Sequence, residues 1–393
     1  MNDLGSGNGA ATGVDLARIR ERFPIFAHRI HLNSCSYGAL STDVEEAIRA
    51  YLHDRHAHGT HWAAWTGKLE AVRARVATLI GVPPIDVAVT GSVTEAVNAL
   101  ASALAFDGRR RNIVTTAFDF PTTAQIWRAQ APRGARIRLA EAGPDGRQIL
   151  LGAFDALIDE ETLLVSVPYV CYWNGARLDV ARIIEMAHAR GALVMVDAYQ
   201  ALGTFPIDAR ALGADFLVSG FLKYLIGASG VAFLYARDSR ALALEPLATG
   251  WFAQERIDDM DIFANRPARS ARRFEGGTPS VPGLFAVEAG LRLIGEVGLE
   301  VIDRQRVTLT TRIEKKASAA GLTLATPSGA GDHGAMIAIR ARNDNAMVEV
   351  LGEAGIVVSS RHGNVRVSPH FYNNEADIDR LFEVLLAHRR LLA

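Results

Sequence analysis

Between Asp86 and Arg237 the chain repeats one alternation that leaves few folds open to it. Six short β-branched runs, Asp86–Thr90, Asn112–Thr116, Leu163–Val167, Ala192–Asp197, Asp215–Ser219 and Gly230–Tyr235, are separated by amphipathic stretches. Parallel strands need a crossover between them, and a strand buried on both faces reads as a continuous apolar run. The pattern therefore predicts an α/β fold, a mostly parallel sheet covered by helices. After about Ala268 it gives way to a helical stretch (Leu284–Lys316), short strands at Met336–Ala341, Gly355–Ser359 and Val365–Ser368, and a last helix from Glu375. That reads as a smaller α+β domain. Ser41 and Asn374 stand where helix caps belong.

Composition narrows the partners. With 49% apolar and 22% charged residues, the chain has enough core to fold without help. A net charge of -1 gives no basic footprint for nucleic acid. Two cysteines, Cys35 and Cys171, make no disulfide framework, so a cytoplasmic setting is expected. No apolar run reaches the roughly 20 residues that span a bilayer, so no membrane partner is expected. Residues 1–14, rich in Gly, Asn and Ser, lack a secretory pattern and are expected to form a flexible leader.

Ligands of open α/β sheets sit at the carboxyl ends of the strands, and here those ends are polar. Thr90-Gly-Ser-Val-Thr-Glu95 opens a helix with small and hydroxyl residues, an arrangement suited to an anion, although a capped helix start alone would explain it equally well. It is neither a phosphate-binding P-loop nor a dinucleotide fingerprint. Asp197 ends a buried run, where a carboxylate needs a partner. Lys223 follows the adjacent run; alone it would be a surface cation, but beside a carboxylate and an anion cup it can be a nucleophilic amine. An amine, a carboxylate and an anion site are what pyridoxal phosphate requires: a Schiff base, a partner that keeps the pyridine nitrogen protonated, and a phosphate cradle.

The stretch Val196-Asp-Ala-Tyr-Gln-Ala-Leu-Gly203 through Gly213–Gly227 resembles the class V aminotransferase family, which includes cysteine desulfurases, selenocysteine lyases, kynureninases and isopenicillin N epimerase. The resemblance implies fold type I, with a large domain (15–267) carrying a mostly parallel seven-stranded sheet and a small α+β domain (268–393). It also implies a homodimer with shared active sites. On it, Lys223 resembles the Schiff-base lysine and general base, Asp197 the pyridinium partner, and Gln200 a donor to the cofactor's phenolic oxygen. Val93, Thr94 and Ser219 resemble phosphate-binding positions, Phe120 the aromatic that stacks on the pyridine ring, and Thr278 a residue reaching the neighbouring subunit's phosphate. Arg366 matches the arginine that binds the substrate carboxylate, and Ser36 the substrate-facing serine of kynureninases.

The departures are as informative. Desulfurases carry a nucleophilic cysteine on the loop before the carboxylate arginine; Val357–Asn364 contains none. Leu222 replaces the histidine many of them place before the lysine, and Thr123 replaces an aspartate of kynureninases. Either Tyr172 or Asn174 takes the place of a cofactor-contacting asparagine. Cys35 reads as a substrate contact or a buried thiol. His53-Asp-Arg-His-Ala-His-Gly-Thr-His61 has spacings that metal ligands use, but no cysteine joins it, and Trp62 and Trp65 point instead to the mouth of a substrate channel, with Trp251 as another wall. No metal is assigned. Together these residues predict an enzyme acting on a small amino acid by removing its Cα proton. Phe120, Ser36 and Trp251 favour a lyase that cleaves the side chain or a β-substituent; an aminotransferase or epimerase stays open, and a desulfurase or a non-catalytic binder is less favoured.

Overall fold

The computed structural model describes residues 13–237 and 243–393; most of the expected leader, residues 1–12, lies outside them. Strand β1 (Ile30–His31) precedes the strands of a seven-stranded sheet: β2 (Val87–Thr90), β3 (Asn112–Thr116), β4 (Arg136–Ala140), β5 (Thr162–Pro168), β6 (Leu193–Asp197), β7 (Phe216–Gly220) and β8 (Ala232–Ala236). Their spatial order is β2-β8-β7-β6-β5-β3-β4, and β8 alone runs opposite to the other six. The six sequence runs are six of these strands. The seventh, β4, escaped because Arg136 and Arg138 break its apolar pattern; it is an edge strand, where charge discourages pairing with another chain.

Burial follows the two-residue period of a pleated sheet. On β6, Val194 and Val196 enter one core with the helices Trp62–Leu79, Val180–Ala189 and Val281–Val297. Met195 between them enters the opposite core with the helices Val93–Ala103 and Pro121–Arg128. The sheet is thus sandwiched between helical layers, and the carboxyl ends of β6 and β7 open toward one rim.

A second sheet, β11-β12-β9, is antiparallel: β9 (Ile337–Arg340), β11 (Ser359–Arg361) and β12 (Asn364–Val367), with β10 (Ile356–Val357) beside them. Its core includes Leu309 and Ile313 of the helix Leu299–Ala319 and Leu381 and Leu385 of the helix Glu375–Ala387. The helical stretch expected from Leu284 to Lys316 is two helices, broken at Gly298, whose φ of 84° lies in the left-handed region. The caps at Ser41 and Asn374 both form, the latter as a reciprocal box with Asp377.

One connection positions the site. β1 pairs in parallel with β10, and Asn33 bridges to Ser368, so Cys35 and Ser36 are carried beside β12. The same segment then crosses to the large sheet, where the Gly38 N–H donates to the Leu222 carbonyl at 2.8 Å. A Cβ at Gly38 would sit 2.3 Å from the Lys223 carbonyl, so only glycine permits this approach.

Candidate active site

A cavity of about 420 Å³ lies where β6, β7 and the start of the helix Val93–Ala103 converge. Lys223 lines it from the turn after β7, and Asp197 from the end of β6. Among the described residues the Lys223 amine makes no hydrogen bond or ion pair; it lies 4.3 Å from the centre of the Tyr199 ring and 5.6 Å from that of Phe120. Burial disfavours its charge and lowers its pKa to about 8, against the opposing pull of Asp197. Asp197 is pushed up by burial, while the Tyr199 N–H, donating to its Oδ1 at 2.9 Å, and Lys223 favour its ionised form.

Tyr199 reaches Lys223 across Gly220. A Cβ there would lie 2.2 Å from the phenol oxygen, so the absence of a side chain makes room for the ring. Behind the lysine, neutral His370 donates from Nε2 to the Tyr224 carbonyl at 2.8 Å, and full burial holds its pKa near about 3.

The anion end is built by the helix Val93–Ala103. Ser92 caps it, accepting from the Glu95 N–H at 3.1 Å, and the Glu95 carboxylate returns to the Gly91 N–H at 2.9 Å. First-turn N–H groups have no partner within a helix, and Val93 and Thr94 line the cavity at that turn. Phe120 lines the opposite wall, with its ring edge-on to Tyr172 at 5.1 Å. Gln200 also lines it; its Nε2 donates to the Cys35 carbonyl at 3.0 Å, and its buried Oε1 has no partner among the described residues.

Arg366 lies behind the wall formed by Ser36 and Tyr172. It is 4% exposed, and no carboxylate pairs with it among the described residues. Ser359, directly opposite in the β11–β12 register, accepts from Nη2 at 2.9 Å; Ser36 accepts from the same nitrogen at 3.1 Å; Nη1 donates to the Tyr172 carbonyl at 2.8 Å. Its Nε is buried without an acceptor. A buried guanidinium with neutral partners only is costly unless an anion joins it.

Lys223, Asp197, Val93, Thr94, Phe120, Gln200 and Ser36 therefore share one cavity, and Ser36 links it to Arg366. Two expected residues stand apart. The Ser219 hydroxyl donates to the Gly220 carbonyl at 3.1 Å, within the sheet. Thr278 lines an adjoining cavity with Gly91 and Gly230, on a segment pinned by the buried ion pair of Arg73 with Glu275 at 2.6 Å. Tyr172 lines the active cavity, whereas Asn174 is a buried turn residue whose Oδ1 accepts from the Ala176 N–H. Cys35 and Cys171 are free and buried. Trp62 meets both Trp65 and Trp251 edge-on, and none of the three lines the Lys223 cavity.

Four contributors had no sequence signal strong enough to find them. Ser359, Tyr199 and His370 act through contacts that only folding creates. Asp119, between two cavity-lining phenylalanines, accepts from the Thr116 hydroxyl at 2.6 Å, leaves Oδ2 without a partner, and is pushed up by burial to about 7.

These donors fit pyridoxal phosphate: an unpaired amine, a buried carboxylate one strand away and a helix N-terminus facing the same space. A family model for class V aminotransferases matches residues 39–381, and the chain belongs to that family of pyridoxal-phosphate-dependent enzymes. It is 34% identical over 368 residues to the uncharacterized aminotransferase YcbU of Bacillus subtilis, covering 94% of this chain and 96% of that protein. It is 30% identical to a kynureninase of Deinococcus radiodurans, covering 87% and 85%. The apo cysteine desulfurase of Thermococcus onnurineus superposes with a TM-score of 0.85 at 25% identity, covering 94% of this chain and 96% of that one. Fold type I is thereby shared. Among the described residues no helix is long and apolar enough to cross a membrane.

Proposed function

We propose that this enzyme is a lyase that cleaves the side chain or a β-substituent of a small amino acid. The observation that carries the substrate class is the buried, acid-free Arg366, hydrogen-bonded to Ser36 and Tyr172 in the wall of the cavity that holds the Lys223 amine. Arg366 takes the α-carboxylate through charge-assisted hydrogen bonds, with Nε free and Ser36 and Ser359 able to turn their hydroxyls toward the same anion. Lys223, whose amine burial shifts toward the neutral form, takes the proton from Cα. Asp197 and Gln200 would face the cofactor's pyridine nitrogen and phenolic oxygen, Val93 and Thr94 its phosphate, and Phe120 its ring. When bound, pyridoxal phosphate supplies the electron sink that makes Cα–H acidic.

The preference for a lyase is supported by Phe120 and Ser36, the kynureninase-like positions, both of which line the cavity. The β11–β12 hairpin argues against a persulfide route, since it offers Ser359 and Ser360 on its first strand and His362 in its turn, and no thiol. Aminotransfer is the second reading, favoured by the 34% identity to a protein named as an aminotransferase; epimerisation shares the same first proton transfer. We further propose a cytoplasmic homodimer, a large domain over 15–267 and a small one over 268–393, with Thr278 serving the partner's phosphate site. Its support is that Thr278 faces a neighbouring cavity. A panel of amino acids offered to pure enzyme, with keto acid, ammonia and sulfide measured, tests the reading. Ammonia or a cleaved side chain without a co-substrate is expected; product formed only when a keto acid is added would make it an aminotransferase.

A further inference from the structure

The histidine-rich segment plays no part in the cavity, and its geometry has a use of its own. Asp54 and His58 lie one turn apart on the helix Thr42–His58, and Gly59, with φ of 65°, turns the chain so that His61 comes back to them. His58 Nδ1 is 3.1 Å and His61 Nδ1 2.7 Å from Asp54 Oδ1, and the three atoms lie within 4.8 Å of one another. Tetrahedral ligands about 2.1 Å from a zinc ion stand roughly 3.4 Å apart, so small adjustments admit one. His53 and His56 are not part of the cluster.

From this we propose that Asp54, His58 and His61 bind a divalent transition metal ion of the zinc class at the joint between the helices Thr42–His58 and Trp62–Leu79.

Two further features suit that role. The Trp65 indole donates to Asp54 Oδ2 at 2.9 Å, which fixes the carboxylate and aims Oδ1 at the histidines, as partners behind metal ligands do. His61 occupies a helix N-cap position yet makes no capping bond, its ring being turned to Asp54 instead. The cluster sits at the carbonyl end of the helix Thr42–His58, which favours a cation, and at the amino end of the helix Trp62–Leu79, which disfavours one. Arg55, whose guanidinium lies 5.6 Å from the Trp65 ring, opposes it.

Two imidazoles and one carboxylate select zinc, cobalt, nickel or copper over calcium or magnesium. Because a carboxylate only accepts, both Nδ1 atoms now carry protons. On metal binding each ring gives up its Nδ1 proton and takes one at Nε2 from solvent, a tautomer change with no net proton release. His58 and His61 are solvent-accessible, which leaves a coordination position to water. The site is separate from the Lys223 cavity, whose walls contain none of the three residues.

The test is titration of untagged holoenzyme with Zn²⁺ by calorimetry at about pH 7.5, and with Co²⁺ by visible absorption. The expected result is one equivalent bound per chain, on the order of micromolar, with binding weakened about 10-fold or more in His61→Gln and His58→Gln. Trp65→Phe, which leaves the ligands in place, should weaken it less. Unchanged cofactor absorbance in each variant shows that the fold is intact, and if a histidine variant fails that check Trp65→Phe decides. No saturable binding below about 1 mM, or binding that survives these substitutions unaltered, overturns the proposal.

Discussion

Ser36 and Arg366 stand 330 residues apart in the chain, yet the arginine Nη2 donates to the serine hydroxyl at 3.1 Å. Because Ser36 belongs to the segment that also touches the Lys223 turn, this contact links Arg366 to the amine.

Replacing Arg366 by Ala should raise KM for the substrate by about 10- to 100-fold, the value of a charge-assisted carboxylate contact of roughly 1.5–3 kcal/mol. Cofactor absorbance should persist. Arg366→Lys should recover little, since one ammonium cannot reproduce bonds to Ser36, Ser359 and the Tyr172 carbonyl. An unchanged KM in steady-state kinetics with the Ala variant would place the substrate carboxylate elsewhere.

Lys223 gives the cofactor-free protein a pH signature. Its pKa falls from 10.5 to about 8 on folding, so the unfolded chain binds more protons between those values and stability rises with pH across that window. Below pH 8 its burial costs roughly 3 kcal/mol. Lys223→Met should therefore be the more stable protein at pH 7, with the advantage shrinking toward pH 10.5. Denaturant melts of both proteins at several pH values measure it; a pH-independent difference would show that the amine is solvated.

Asp119 has the opposite slope. Its pKa rises from 3.8 to about 7, so the folded state holds the extra proton and stability falls as pH climbs through that range. Asp119→Asn, which keeps an acceptor for Thr116, should be about 1–4 kcal/mol more stable than the parent at pH 8 and close to it at pH 4. Equal gains at both pH values would mean that the carboxyl is not the cause.

Gly220→Ala should destabilise by about 1–3 kcal/mol and weaken cofactor retention, because its methyl group would meet the Tyr199 phenol. Combining it with Tyr199→Ala should cost less than the sum of the two changes, a coupling that a double-mutant cycle measures. Simple additivity would show that the ring does not need this space.

Both cysteines should be dispensable. Cys35 is buried against Ser36 and Ser359, and burial drives the Cys171 thiol up to about 12, far from a reactive thiolate. The variant with Cys35→Ala and Cys171→Ala should keep its turnover, and the parent offered cysteine should carry no persulfide in mass spectra. A persulfide on Cys35, lost together with activity on its substitution, would return the enzyme to a desulfurase mechanism.

What the sequence by itself determined is local or repetitive. The β-branched runs identify six strands because burial on both faces demands unbroken apolar residues, and the capping residues at Ser41 and Asn374 mark helix starts because free N–H groups need acceptors. Asp197 and Lys223 were legible because one ends such a run and the other closely follows the next, where a polar residue stands out. Tertiary structure alone decided the rest. β4 was hidden because an edge strand needs no apolar pattern, and the helix break at Gly298 because one glycine is tolerated in many helices. Ser359, Tyr199 and His370 join the site through register and close packing across strands far apart in the chain, and no local pattern encodes such contacts. The gathering of Asp54 with His58 and His61, rather than of four histidines, was set by helix pitch and one left-handed glycine. The three tryptophans fall outside the Lys223 cavity for a similar reason, since the face on which a helix or loop packs depends on what the remainder of the chain buries against it.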